Sequence, residues 1–127
     1  MTESLIQQGI EKGLISFNKE RTRVTYIFNQ NKDFGYSKPE EKVQVETILK
    51  LILDYNYPVK RIRQFVPVTM GREVKHADIV VYADDVCLSP HILVECKRAE
   101  VSEAEYQQAI EQAYSYAFAL PSDVKYV

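Results

Sequence analysis

Residues 62–97 constrain this chain more than any other stretch. Three runs rich in apolar and β-branched residues, 62–69, 75–83 and 91–97, follow one another closely. Only Gly71, and then Asp84-Asp85 with Ser89-Pro90, interrupt them. Runs of this length bounded by turn residues form strands, and breaks this short suit hairpin pairing. A helical pattern lies on either side. Before the strands, Ser37 and Glu40 have capping-box spacing, Pro39 falls in the first turn, and Pro58 ends the pattern. Glu41, Val45, Ile48, Ile52 and Tyr55 share one stripe of that helix, so a carboxylate points the same way as its core face. After the strands, Ser102 and Glu105 open a helix with core positions Tyr106, Ala109, Ala113, Ala117 and Leu120, stopped by Pro121. Residues 124–127 begin one more strand. The expected fold is α/β, in the order helix, three strands, helix, strand, with helices flanking a mixed sheet.

Ahead of this core, Thr2 is placed to cap a short helix carrying Leu5, Ile6 and Ile10 and stopping at Gly13. Residues 14–17 and 24–28 read as a hairpin across the polar stretch 18–23, and 29–36 as a polar loop. At 127 residues the expectation is one domain, with 1–36 as an amino-terminal helix and hairpin and 37–127 as the core. The chain stops inside its last strand, so it is expected to be a fragment of a longer protein.

The totals exclude some partners and weaken others. No apolar run reaches membrane-spanning length and the start lacks a signal peptide's pattern, so a soluble, cytoplasmic protein is expected. Cys87 and Cys96 fit that compartment without a disulfide. A formal charge of −2 offers no net attraction to nucleic acid, so a DNA partner needs a local basic patch or help from elsewhere.

The chemistry concentrates on the third strand. Alternation along 92–97 projects Glu95 and Lys97 from one face while Val94 and Cys96 turn to the other. A carboxylate and an ammonium at the end of an apolar strand are costly unless solvated or used. Asp78 stands at the start of the neighbouring apolar run, so hairpin pairing brings it towards Glu95. Two converging carboxylates suit Mg²⁺, which keeps several waters and accepts phosphate oxygens. A bound water is thereby acidified, and a lysine at the same point orients it or offsets charge on the phosphate.

Asp78 followed by Glu95-Cys96-Lys97 across a strand, turn and strand resembles the PD-(D/E)xK nuclease signature. Two flanking features strengthen the match: Pro39-Glu40-Glu41 on the helix before, and Gln112 with Tyr116 on the helix after, in a pattern similar to QxxxY. The run from Pro39 to Val127 resembles the amino-terminal nuclease domain of type I restriction enzyme R subunits. Similar domains stand at the front of adenine-N6 DNA methyltransferase polypeptides. The resemblance implies a restriction-endonuclease-like core and a Mg²⁺-dependent DNA endonuclease acting with other restriction-modification subunits or domains. It implies Asp78 and Glu95 as metal ligands with the Cys96 carbonyl as a third, and Lys97 as the catalytic lysine. Glu41 becomes the helix carboxylate near the metal, and Gln112 and Tyr116 contact DNA or order the site. Ala77 stands where the nominal motif has proline.

Other readings compete. The different-class alternative is a non-cleaving DNA-binding or interaction module at the front of a methyltransferase polypeptide. Lys60, Arg61, Arg63, Arg72, Lys75 and Arg98 flank the strands, either as a solvated edge or as a phosphate track, with Arg72 and Lys75 its DNA-binding candidates. Cys87, His91 and Cys96 offer too few ligands for a zinc site, and none of the four glycines builds a phosphate loop.

Overall fold

A computed structural model describes residues 2–98, 101–120 and 124–127. The fold is mixed α/β, with three α-helices and two three-stranded antiparallel sheets. The chain divides into two compact units, Met1–Val59 and Lys60–Val127.

In the first unit, helix α1 (Thr2–Glu11) buries Leu5 and Ile6. Thr2 lies within this helix, and the capping expected of its side chain falls outside the described residues. Gly9 lets α1 approach the following helix closely, because a Cβ there would meet Leu49 Cδ2 at 2.7 Å. Gly13 adopts φ +72° where the helix stops, as expected. Strands β1 (Ile15–Phe17) and β2 (Arg23–Tyr26) pair as the anticipated hairpin, Ile15 opposite Tyr26 and Phe17 opposite Val24. Asn18 closes the turn, its Oδ1 accepting from Thr22 N at 2.8 Å and Arg23 N at 2.9 Å.

The loop expected at 29–36 contains a strand instead. Strand β3 (Lys32–Gly35) pairs antiparallel with β2, Val24 opposite Phe34. Lys32 and Asp33 are exposed on this outer strand, so the alternation that betrays a half-buried strand is missing from its sequence.

Helix α2 (Pro39–Leu49) begins one residue later than Ser37 capping requires. Lys38 occupies the cap position, with extended backbone and no side-chain cap bond. A residue before proline is pushed to that conformation, so proline rather than serine sets the start. Val45 and Ile48 are buried as the stripe requires, Ile52 is half-buried, and Leu49, off that stripe, is buried as well. Tyr55 is not, at 68% exposed. The chain widens into a π-helical turn (Lys50–Asp54), and Tyr55 N donates to Lys50 O. That extra residue per turn carries Tyr55 off the stripe.

In the second unit, β4 (Ile62–Met70), β5 (Glu73–Tyr82) and β6 (Pro90–Val94) form a meander in that order. Gly71 at φ +66° opens the two-residue loop between β4 and β5. The β5–β6 loop is braced by Asp84, whose carboxylate accepts from Leu88 N at 3.0 Å and Ser89 N at 2.9 Å. The strand expected at 124–127 is present as a parallel bridge between Tyr126 and Ile92, with Leu93 N donating to Tyr126 O at 2.9 Å.

Ser102 caps helix α3 (Glu103–Ala119) as its spacing predicts, its Oγ accepting from Glu105 N at 3.2 Å, while the Glu105 carboxylate accepts from the Ser102 hydroxyl at 3.2 Å rather than from its backbone. The stop expected at Pro121 lies outside the described residues. Ala113 and Tyr116 pack with Val68, Ala77, Val80, Tyr82 and Leu93 in one core, against which Ala117 and Leu120 also lie. Tyr106, expected in the core, is 51% exposed. Small residues at 109 and 113 bring the helix close to the sheet, and Tyr116 supplies the aromatic volume that Tyr106 was expected to give.

Candidate active site

The β5–β6 ladder runs from Val81 opposite Ile92 to Ile79 opposite Val94. The next pair in register would be Asp78 and Glu95. There the backbone ladder gives way to a reciprocal clasp. Asp78 N donates to Glu95 Oε1 at 3.2 Å, and Cys96 N donates to Asp78 Oδ2 at 2.8 Å. Each carboxylate thus holds the backbone of the other's strand. Strand β6 consequently ends at Val94, earlier than the sequence suggests.

The electrostatics follow from this closeness. The Glu95 carboxyl is pushed up to about 7, first by burial and then by the negative charge of Asp78. The Asp78 N–H and the nearby Lys97 ammonium oppose that rise. Two carboxyls this close share a proton near neutrality unless a cation replaces it. Lys97 is exposed, within the field of Glu95. Cys96 contributes its backbone here, while its side chain is buried.

Tyr116 lies within the electrostatic reach of both carboxylates. Its hydroxyl accepts from Gln112 Nε2. Burial raises the phenol's pKa, Glu95 and Asp78 add to the rise, and Gln112 and Lys75 oppose it. Asp78, Glu95, Lys97, Tyr116 with Gln112, and Lys75 are thereby gathered in one electrostatic neighbourhood. The Tyr116 side chain is buried, at 3% exposed. Arg72 sits exposed in the β4–β5 loop. Glu41 lies in the first unit, half-buried, where the Tyr26 hydroxyl donates to it.

Of the remaining basic residues, Lys60 and Arg61 both pair with Asp85, at 3.1 and 2.7 Å. Lys75 pairs with Glu73 at 3.2 Å. The would-be zinc residues are otherwise engaged: Cys87 Sγ is 3.3 Å from Lys60 O, and His91 stacks edge-on against Tyr126. Among the described residues no group of three or more His, Cys, Asp or Glu side chains is placed to hold a metal ion. Two carboxylates suffice for Mg²⁺, which completes its shell with water and phosphate, so the Asp78–Glu95 donor set fits that ion.

Sequence reasoning missed one residue at this site. The β4–β5 register, with Gln64 opposite Ile79 and Val66 opposite Ala77, puts Phe65 at the position facing Asp78. Phe65 has φ +51°. No sequence signal marks an aromatic residue for that conformation.

The family model of the type I restriction enzyme R protein N terminus matches residues 39–127. The chain belongs to that family. No curated protein and no solved structure matches it. For this R-protein amino-terminal domain the match begins at the first residue of α2 and takes in β4, β5, β6 and α3. Its context is therefore restriction-modification. No helix among the described residues is long and apolar enough to cross a membrane.

Proposed function

We propose that this domain hydrolyses DNA phosphodiester bonds as a Mg²⁺-dependent endonuclease of the PD-(D/E)xK type, in the cytoplasm, alongside other restriction-modification subunits or domains. The observation that carries the reading is the clasp between Asp78 and Glu95, which converges two carboxylates beside an exposed lysine. Asp78 and Glu95, with the Cys96 carbonyl, would hold the ion. When bound, Mg²⁺ supplies a Lewis acid for the phosphate and an acidified water. Lys97 orients the nucleophile and offsets the charge that grows on the phosphate. Tyr116, fixed by Gln112, backs the carboxylates with a hydrogen-bonded wall. Lys75 and Arg72 receive flanking phosphates.

Separating metal binding from catalysis tests the reading. Asp78→Ala should weaken Mg²⁺ or Mn²⁺ binding by calorimetry and abolish cleavage, because a hard cation loses a charged ligand. Lys97→Ala should abolish cleavage yet leave metal affinity equal or tighter, because an ammonium repels the ion. Cleavage is read in the intact enzyme, since a domain of charge −2 holds DNA weakly by itself. Intact cleavage by both variants would instead assign the domain to the non-cleaving, DNA-binding or interaction class.

A further inference from the structure

Helix α3 buries Ala109, Ala113 and Tyr116, while its other three aromatic side chains are exposed. Those three are not scattered. Tyr106, Tyr114 and Phe118, with half-buried Ile110 between them, recur at four-residue spacing and form one row about 18 Å long. Tyr114 is 53% exposed and Phe118 89%. A phenylalanine this open contributes almost no burial to the fold. A single exposed apolar residue is ordinary, but a contiguous row of them marks an interaction surface.

The charge beside the row selects its occupant. Glu103, Gln107 and Glu111 run alongside, each three residues before a member of the row and therefore its neighbour on the helix. Gln107 Nε2 donates to Glu103 Oε1 at 3.2 Å. Neither glutamate has an ion pair among the described residues, and α3 carries no Lys or Arg. The surface is thus apolar and anionic at once. Its rings could stack on bases, but its carboxylates repel phosphate, so nucleic acid does not fit. A second α3 would bring the same acids and no cation. The row also exposes only roughly 400 Å², about half of what each partner gives to a stable interface. A single helix laid along it matches that size. We infer that Tyr106, Ile110, Tyr114 and Phe118 form the docking surface for an amphipathic helix of a partner protein, one whose Lys or Arg residues meet Glu103 and Glu111. The partner's cations also gain from the Tyr106 ring. Beyond Glu111, α3 has no charge. Cations are most favourable in a helix's last turn, so the partner runs antiparallel to α3. This surface goes beyond the nuclease reading and does not depend on it.

Two helical peptides long enough to span the row test the inference on the metal-free protein. One carries leucines at three- and four-residue spacing with flanking lysines, and the other has glutamate in place of each lysine. In NMR titrations the Leu/Lys peptide should shift amides of α3, and the Leu/Glu peptide should bind at least about tenfold more weakly. Phe118→Ser should weaken the Leu/Lys peptide at least about fivefold. Tyr55→Ser, at an exposed ring of the first unit, should leave it unchanged. The double variant Glu103→Lys with Glu111→Lys should reverse the preference and take the Leu/Glu peptide. Reversal separates a built surface from mere stickiness, and these exposed positions do not threaten folding. Absence of binding, equal binding of both peptides, or shifts spread away from α3 would overturn the inference. So would concentration-dependent dimerisation in sedimentation that Phe118→Ser abolishes, since a second copy would then cover the row.

Discussion

Each unit of this protein buries a tyrosine whose hydroxyl is hydrogen-bonded to a helix, and the two arrangements differ in what they do with a carboxylate. Tyr26 reaches from strand β2 and donates to Glu41 on α2, so its hydroxyl ties sheet to helix. Tyr116 comes from α3 itself and accepts from Gln112 one turn earlier on the same helix. Its ring packs on the sheet, but its polar atom closes within the helix. The carboxylates of that second sheet, Asp78 and Glu95, are held by backbone amides across strands instead. A carboxylate receiving a phenol has one of its lone pairs committed to a hydrogen bond that ties strand to helix. Two carboxylates that each accept from the other's backbone stretch, with the charge of Lys97 nearby, are brought close enough to affect one another's protonation.

The comparison can be broken at its ends. The largest stability effect should come from Tyr26→Phe, which removes a donor from a half-buried carboxylate and should cost about 1.5–3 kcal/mol in urea unfolding. A loss below about half a kcal/mol would mean the hydroxyl ties nothing together.

A smaller effect should appear with pH, and only in the second unit. The Glu95 carboxyl lies at about 7 in the folded protein against 4.5 in the unfolded chain. The native state therefore holds its proton more tightly. The stability this contributes is full below about pH 4.5 and lost as pH rises through about 7. With allowance for partial solvation, the loss is on the order of 1–2 kcal/mol. Metal-free wild type should accordingly show a lower urea midpoint at about pH 8 than at about pH 5, and Glu95→Gln should lack this drop. An equal drop in Glu95→Gln would place its origin elsewhere.

The smallest effect belongs to Tyr116→Phe. Its hydroxyl accepts from an amide on an exposed residue that water can satisfy, so unfolding should change by under about 1 kcal/mol. A cost equal to that of Tyr26→Phe would erase the distinction between the two tyrosines.

The sequence announced those features whose physics is local or periodic. Alternation and turn residues exposed the β1–β2 hairpin and the β4–β6 meander, and the Ser102–Glu105 spacing exposed the start of α3. Strand β3 escaped because an exposed outer strand can be as polar as a loop. Ser37 misled because the constraint of Pro39 on Lys38 outranked a capping serine. Tyr55 left its stripe through a π-helical turn, which no 3.6-residue periodicity can foresee. At the site, the Asp78–Glu95 pairing followed from hairpin register. The clasp itself, with backbone amides on carboxylates, is tertiary geometry. Phe65 was least legible of all, since its conformation contradicts its residue type.

The left-handed backbone at Phe65 has a consequence for the behaviour of the protein among its own copies. Strand β4 is an outer strand of its three-stranded sheet, and a flat outer strand is a template for the edge of a neighbouring molecule. This one is a poor template. Phe65 carries a left-handed backbone within it, Pro67 two residues on has no N–H to offer, and Arg63 places an exposed charge two residues before. No incoming strand can hydrogen-bond along it without a break. At the opposite margin of the sheet, β6 is shielded by the parallel bridge from Tyr126. Phe65→Ile, which resists the left-handed conformation and favours a regular strand, should therefore make concentrated protein more prone to edge-to-edge association, visible as a growing scattering signal at constant temperature.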